Sequence, residues 1–409
     1  MISNLNLKIK GFGPINMTQM SIGKINVIGG LNATGKSTTS RLLYCFLKGC
    51  TLNRKTFAYS LIYSEMLSVV TSSHARNITP DNRFMGSVDR LIEAYNNAKN
   101  EISKLDDSDF QKNYMLKKME TLDKQIKTIE DNDEKLYSSL LKQMLSSEFS
   151  SNNMTGFAEL TGCYNEKPFD FSFEFKDGDA NTSSKGILLL NDIFYFDSIS
   201  IFDARYMRMM DQKKNERIVN LFNNINENIT NEFLDDEINE NIISVKNKID
   251  GIINGNFEFR RGKLAFISEN GHESTMGDTS SGIKQIGIIQ LLLSNRKLKE
   301  DSVLIMDEPE VNLHPEWQIK FAEILVLLAK ELDIIIYVNS HSPMFIEAMS
   351  LYSQYYDLVD ETNFYLTEKQ GNGFTFMEID YDDMGAVYEN LTSPYDELDK
   401  LKAKILIKE

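Results

Sequence analysis

Residues Ile25 to Thr38 read INVIGGLNATGKST, and the reading of the whole chain turns on them. A short apolar strand runs directly into Gly30, Leu31, Asn32, Ala33, Thr34, Gly35, Lys36 and Ser37, which is the full spacing of a phosphate-binding loop. From Thr38 to Lys48 the apolar residues recur with a helical period. The glycines let the backbone curl so that its N–H groups point inward at a phosphate chain. Lys36 adds a point charge within reach of the β and γ phosphates, and the Ser37 hydroxyl is placed to ligand Mg²⁺ at the positive end of the helix. A glycine-rich turn that binds nothing needs only part of this pattern. The complete match, in strand–loop–helix context, reads as a nucleotide site.

Chemistry resumes far along the chain. Thr279 to Gln285 (TSSGIKQ) is a polar, glycine-containing turn opening an apolar helix, which offers a hydroxyl and free N–H groups to an anion. A serine cap on a buried helix looks the same, so this stretch decides little alone. Ser302 to Glu308 (SVLIMDE) is an apolar strand ending in adjacent carboxylates. Successive strand residues alternate sides, so Asp307 can meet the metal while Glu308 is aimed at an attacking water. Ile334 to Val338 (IIIYV) is another buried strand and delivers Asn339, Ser340 and His341 at its end. A lone histidine is usually structural. One at the tip of a strand parallel to the loop strand is placed to touch a γ-phosphate, since ligands sit at the carboxyl ends of such strands.

At 409 residues and 42% hydrophobic, the chain can bury one large core or two domains. Its formal net charge of −16 disfavours a surface broadly committed to nucleic acid or anionic membrane, although a local basic groove is compatible with it. Cys45, Cys50 and Cys163 have neither metal-ligand spacing nor an even count, as in small core residues of a reducing compartment. Met1 to Gly11 is too polar for a signal peptide, and no apolar run approaches the ~20 residues needed to cross a bilayer. A cytoplasmic protein without a membrane partner is the expectation.

Ile2 to Lys10 alternates apolar and polar residues, and GFGP (Gly11 to Pro14) turns the chain toward the strand at Lys24 to Ile28, a strand pair leading into the loop. From Phe84 to Leu145 the composition turns charged, with apolar residues every three or four positions, as at Leu91, Tyr95, Ala98 and Ile102. Breaks at Asp106 to Asp109 and at Asp131 to Glu134 divide it. Two readings stay open: an antiparallel helical arm or lid projecting toward a partner, and a bundle packed flat on the body. Phe169, Phe171, Phe173 and Phe175 alternate with polar residues as a half-buried strand, and Gly186 to Ile201 is apolar almost throughout, as in strands covered on both faces. Ile218, Phe222, Ile225, Ile229 and Phe233 form one helical stripe, with the carboxylates of Asp235, Asp236, Glu237 and Glu240 on a solvated face. Phe257 to Ile267 is a hairpin strand whose Arg260, Arg261 and Lys263 make the best small basic patch, although a solvated strand face explains them better. Tyr388 to Leu401 reads as a terminal helical tail.

The order GLNATGKST, TSSGIKQ, VLIMDEPEVNLHP and NSHSP resembles the ATP-binding-cassette (ABC) ATPases of the structural-maintenance-of-chromosomes branch. Within it, the pattern is similar to the compact ATPases allied to the overcoming-lysogenisation-defect nucleases and to ATPase subunits of prokaryotic antiphage systems such as Septu. The resemblance implies an α/β P-loop NTPase fold: a mostly parallel sheet with flanking helices, an N-terminal antiparallel β portion and an inserted helical arm. Residues 1–83 and 151–409 would form the ATPase domain and 84–150 the insertion. It implies ATP and Mg²⁺ as ligands. Lys36, Ser37 and Thr38 would be the phosphate and Mg²⁺ residues, Asp307 the metal-side carboxylate, Glu308 the catalytic base and His341 the γ-phosphate switch. Ser280 and Gly282 would be signature residues acting across a homodimer on the other subunit's ATP.

Three departures qualify the transfer. Ser281 stands where many relatives have a second glycine, and Ile283 where an acidic or glutamine residue is common. No glutamine occurs between the loop helix and Gln111, so the glutamine loop has no position. The segment after His341 is too short for an attached nuclease domain of the usual size, so an effector such as a nuclease would be a separate partner, and nucleic acid would be met through the complex. Two functional classes follow: an ATP-hydrolysing switch, which the Asp307–Glu308 pair favours, and an ATP-holding scaffold with little turnover. A transporter subunit is disfavoured by the helical insertion.

Overall fold

The computed structural model describes residues 2–72, 88–104, 110–149, 154–176, 179–196, 217, 221, 224–225, 240–260, 263–275, 278–392 and 394–406. Its strands are β1 (Ile2–Phe12), β2 (Ile15–Ile22), β3 (Ile25–Gly29), β4 (Gly156–Tyr164), β5 (Lys167–Lys176), β6 (Asp179–Lys185), β7 (Ile193–Phe196), β8 (Gly255–Arg260), β9 (Lys263–Ser268), β10 (Glu273–Thr275), β11 (Val303–Asp307), β12 (Ile335–Ser340), β13 (Thr362–Gln370) and β14 (Gly373–Ile379). The helices are α1 (Lys36–Lys48), α2 (Arg54–Ser72), α3 (Val88–Ser103), α4 (Phe110–Asp131), α5 (Asp133–Glu148), α6 (Glu240–Ile253), α7 (Ser281–Ser294), α8 (Pro315–Leu332), α9 (Pro343–Tyr355), α10 (Met384–Thr392) and α11 (Pro394–Leu406).

Among the described residues one mixed sheet of 11 strands runs β6-β5-β4-β1-β2-β14-β13-β3-β12-β11-β7, and β10-β9-β8 form a small second sheet. The half from β13 to β7 is parallel and carries the phosphate-loop strand β3 between β13 and β12. Its strands are apolar on both faces, and their two-residue period sorts side chains into two cores. Ile28, Val303, Ile305 and Tyr337 join the core that holds α1 to α5. Ile25, Val27, Leu304, Met306, Ile336 and Val338 join the core of α6 to α9. The result is an α/β sandwich with helices on both faces of its parallel half.

The half from β6 to β2 is antiparallel, built by β1 pairing with both β2 and β4. It is larger than the N-terminal strand pair read from sequence, and β2 lies between β1 and the loop strand where the sequence reading had only a connection. Only one face is apolar here: Leu7, Ile9, Leu160, Phe171 and Phe173 are buried. The hairpin β13–β14, absent from the sequence reading, joins the halves by laying β13 parallel to β3 and β14 parallel to β2. Within 186–201 only Ile193–Phe196 is a strand, and residues 197–201 lie outside the described set. The terminal tail is two helices, α10 and α11.

A further helix, α2, precedes the charged helical segment, and the apolar stripe of that segment is buried rather than presented. Leu91, Tyr95, Ala98, Met119, Leu122 and Ile129 belong to the same core as the sheet. In α5, Asn132 caps the first turn by accepting from the Lys135 N–H, and the opposite face buries Leu136, Tyr137, Leu140, Leu141, Met144 and Leu145. Tyr137 stacks on Phe171 with centroids 4.0 Å apart and donates to the Phe46 carbonyl of α1 at 2.9 Å. Of the two readings left open by the sequence, these contacts favour the bundle packed on the body. A narrow stripe suffices because each helix buries it against a neighbouring helix or the sheet. Outside the described residues fall Ile218, Phe222, Ile229, Phe233 and Asp235 to Glu237, while Ile225 of that stripe is buried. Arg260 pairs with Glu258 and Glu273, in keeping with a solvated strand face, and Arg261 lies outside the described residues. Cys45 and Cys50 are buried free thiols, and Cys163 is a half-buried one.

Because Phe171 ties α5 to the sheet, Phe171→Ala should destabilise the protein by about 3–5 kcal/mol, the usual cost of a buried Phe→Ala cavity. Urea unfolding followed by far-UV circular dichroism checks this. A loss below ~1 kcal/mol would mean that α5 does not share the core.

Candidate active site

The site is assembled by strand register. β12 lies between β3 and β11, with Ser340 opposite Gly29 and Asn339 opposite Asp307. The next residue on each strand therefore emerges at one edge: Gly30, His341 and Glu308. Lys36 opens α1 behind a left-handed Gly35. It reaches back to donate from Nζ to the carbonyls of Gly30 (2.8 Å) and Leu31 (2.7 Å), and it lies 3.4 Å from His341 Nδ1. His341 Nε2 lies 2.7 Å from Glu308 Oε1. With Lys36 donating to Nδ1, the neutral imidazole carries its proton on Nε2 and donates it to Glu308. Burial pushes the Lys36 ammonium down to about 8, against the opposite pull of Glu308, Asp307 and Glu310.

Gly30 has φ +147°, and a Cβ there would lie 1.8 Å from Thr367 Oγ1 on β13, so no other residue fits. Thr34 is buried and donates its hydroxyl to the Leu31 carbonyl at 2.9 Å. Asn32, Ala33 and Ser37 are exposed on the loop and Thr38 is half-buried, with Ala33 in the left-handed region at φ 62°. The first helical N–H bond is Thr39 to the Gly35 carbonyl, which leaves the earlier N–H groups of the turn to a ligand.

Asp307 is held from the side. Asn339 Nδ2 donates to its Oδ1 at 2.9 Å and also to Ser40 Oγ of α1 at 3.1 Å. Ser40 Oγ is 2.9 Å from the Tyr195 hydroxyl, and the Arg217 guanidinium lies 4.3 Å from the Tyr195 ring centre. Arg217 and Arg41 both bind Glu148, at 2.9 and 3.0 Å. None of Ser40, Tyr195, Glu148 and Arg217 was singled out by sequence. They sit on four separate elements and carry no motif. Glu310 was also missed, although it lies inside DEPEVNLHP. It accepts on Oε1 from the Ser340 hydroxyl (2.6 Å), the His341 N–H (2.8 Å) and the Ser342 N–H (3.2 Å). Burial pushes its carboxyl above the ordinary range, and these three donors pull it back. Glu308 itself adopts φ 54°, and its N–H donates to the Asn339 carbonyl at 2.9 Å.

Lys36, Asp307, Glu308 and His341 are thus brought together. Ser280 and Gly282 are not part of the cluster, and no hydrogen bond among the described residues joins them to Lys36, Ser37 or Asp307. Ser280 is exposed at the N-cap of α7, its hydroxyl making no cap bond. Gly282 abuts the loop after β11, where a Cβ would come within 2.9 Å of Leu313.

A left-handed glycine loop between a central parallel strand and a helix, its lysine facing a strand-end carboxylate pair, defines the P-loop NTPase class. Residues 1–346 match the AAA ATPase domain family, and the chain belongs to that family. No curated protein matches it. Among solved structures it is similar to the SMC head domain from Thermotoga maritima, with TM-score 0.43 and 11% identity over 93% of this chain and 99% of that one. It is also similar to an SmcHead bound to the C-winged helix domain of ScpA, with TM-score 0.47 and 11% identity over 93% and 98%. A third is the Smc head domain with an extended coiled coil bound to the C-terminal domain of ScpA derived from Pyrococcus furiosus, with TM-score 0.45 and 10% identity over 95% and 98%. No helix among the described residues is long and apolar enough to cross a membrane.

The low Lys36 value sets a pH dependence. The ammonium loses its proton near pH 8, below its ordinary 10.5. Polyphosphate binding requires the charged form, so affinity should be flat below about pH 7 and fall above pH 8 by up to about tenfold per unit, one proton being taken up with each nucleotide. Calorimetry at pH 9 in buffers of different ionisation enthalpy measures that proton. Its persistence in Lys36→Ala would assign it elsewhere.

Proposed function

We propose that this chain binds ATP with Mg²⁺, hydrolyses it, and uses the nucleotide to switch between separate and paired subunits. The observation that carries the reading is the unbroken line of contacts from Lys36 through His341 to Glu308. Binding asks Lys36 to exchange two loop carbonyls for phosphate oxygens, beside the N–H groups at the start of α1. Glu308 accepts the proton of the attacking water, which it can do once His341 turns from it toward the γ-phosphate. The exposed Ser37 hydroxyl and Asp307, whose second oxygen has no hydrogen bond among the described residues, fit a hard cation that keeps waters and phosphates as its other ligands. When bound, Mg²⁺ would neutralise charge on the β and γ phosphates. Asn339 would orient Asp307 toward it.

Ser280, exposed at the start of α7 and outside the Lys36 cluster, supports a role for it and the neighbouring buried Gly282 on the nucleotide of a second copy. The motif order supports a finer reading, the ATPase component of a prokaryotic antiphage or DNA-processing complex with a separate effector such as a nuclease. The net charge of −16 favours the effector as the carrier of nucleic-acid contacts. Tight, salt-sensitive DNA binding by the isolated chain would count against that division.

Glu308→Gln keeps shape and hydrogen-bonding reach but removes the base, so turnover should fall by roughly 10²- to 10⁴-fold while ATP binding survives. The slowed protein should accumulate as an ATP-dependent dimer in light scattering, and Lys36→Ala should lose both nucleotide and dimer. Wild-type turnover by Glu308→Gln would show that the assigned base is wrong. Asn339→Leu should raise the Mg²⁺ concentration for half-maximal turnover by about 10- to 100-fold, as for other groups that orient a metal ligand. An unchanged Mg²⁺ titration would remove Asn339 from that role.

A further inference from the structure

The sequence around Glu310 explains the aspartate and glutamate before it but gives no task to this third carboxylate, which is only 5% exposed. Burying a carboxylate is costly unless it is fully hydrogen-bonded, and the Glu310 Oε2 is buried with no hydrogen-bond partner among the described residues. Packing alone would be better served by an apolar side chain. What the carboxylate does have is three donors from three consecutive residues, Ser340, His341 and Ser342, all on Oε1. These residues form the turn that carries the switch histidine.

That turn is gripped from both ends. On its strand side the Asn339 carbonyl accepts from the Glu308 N–H at 2.9 Å. On its helix side Ser342 caps α9 by accepting from the Phe345 N–H at 3.2 Å and donates to Gln318 at 2.6 Å. His341 itself has one backbone anchor at this point, its N–H to Glu310. Its imidazole must reach Glu308 on one side and Lys36 on the other, which fixes the backbone to within a fraction of an ångström. Glu308 and Glu310 leave the same strand end two residues apart, so one short loop supplies both the group that meets the His341 ring and the group that fixes the His341 backbone.

We infer that Glu310 is a positioning residue that holds the 340–342 turn, and through it the His341 imidazole, in register with Glu308 and Lys36. The inference rests on the reading of His341 as the γ-phosphate switch. It predicts that loss of Glu310 is felt in the chemical step and not in nucleotide binding. A side chain that merely stabilised the fold would lower both, or neither, and would act independently of His341.

The test combines turnover, nucleotide binding and amide hydrogen exchange on the full chain, for Glu310→Ala, Glu310→Gln, His341→Ala and the Glu310→Ala/His341→Ala double variant. Glu310→Ala should lower kcat by about 10²-fold, the scale of an ångström-sized misplacement, with affinity for a fluorescent ATP analogue within about threefold of wild type. Glu310→Gln keeps an acceptor at Oε1 and the side-chain volume, so it should fold normally and recover kcat to within about tenfold of wild type, given that each lost hydrogen bond costs about 1 kcal/mol. The double variant should be no slower than His341→Ala, because residues acting as one unit are not additive. In the nucleotide-free protein the peptide covering 339–345 should exchange faster in Glu310→Ala than in wild type or His341→Ala. Unchanged exchange overturns the inference whatever the turnover, and so do losses that multiply in the double variant. Wild-type turnover by His341→Ala would instead overturn the role of the histidine, and the exchange measurement would still decide whether Glu310 holds the turn.

Discussion

The register of three parallel strands is the constraint on which the site depends. Ser340 sits opposite Gly29 and Asn339 opposite Asp307, so the chain emerges from β3, β12 and β11 at one edge, within one residue of the same level, with a loop glycine, a histidine and a carboxylate. A slip of one residue would turn every side chain of β12 to the other face. That register is held by burial, because alternate residues of these strands belong to two separate cores and neither set tolerates water. Hydrophobic sorting on both faces of the sheet is thus what places Lys36 and His341 within 3.4 Å across 305 residues of sequence.

The charged and polar groups of the site satisfy one another. Lys36 spends its donors on loop carbonyls, and His341 spends its ring nitrogens on Glu308 and Lys36. This arrangement makes a buried lysine tolerable without phosphate, at the cost of a weakened affinity for its own proton. It also means that nucleotide competes with internal partners, and the energy of new phosphate contacts must exceed that of the bonds displaced. Glu308 is likewise engaged, by His341 at 2.7 Å.

A second polar line runs from the metal side of the site into the helical bundle: Asp307, Asn339, Ser40, Tyr195, Arg217 and Glu148. Glu148 closes α5 and also binds Arg41 of α1. Buried pairs of this kind contribute little net stability, yet breaking one costs about 3–5 kcal/mol because the orphaned charge stays buried. They act as register pins, fixing how the bundle sits on α1. The bundle is thereby joined to the nucleotide helix by charge as well as by the shared apolar core. On the other flank, β13 lies beyond the family-matched residues and brings Thr367 against Gly30.

By itself the sequence determined the phosphate-loop motif and with it the class of fold, and it marked Asp307, Glu308 and His341 as the candidate site residues. Those signals are local: glycines, lysine and serine at fixed spacing between an apolar strand and a helix, and acidic or imidazole residues at the tips of short apolar runs. The hairpin β13–β14 was not read from the sequence: TNFYLTEKQGNGFTFMEI alternates around a glycine turn, but nothing local said that β13 would pair with β3. Tertiary structure alone decided that the charged helices lie on the body, since a narrow stripe is satisfied by any apolar neighbour and the sequence does not name it. It alone decided that Asn339 meets Asp307 and that Glu310 holds the His341 turn. Those contacts follow from which strands lie side by side and in what register, a property of the packed cores rather than of any segment of chain.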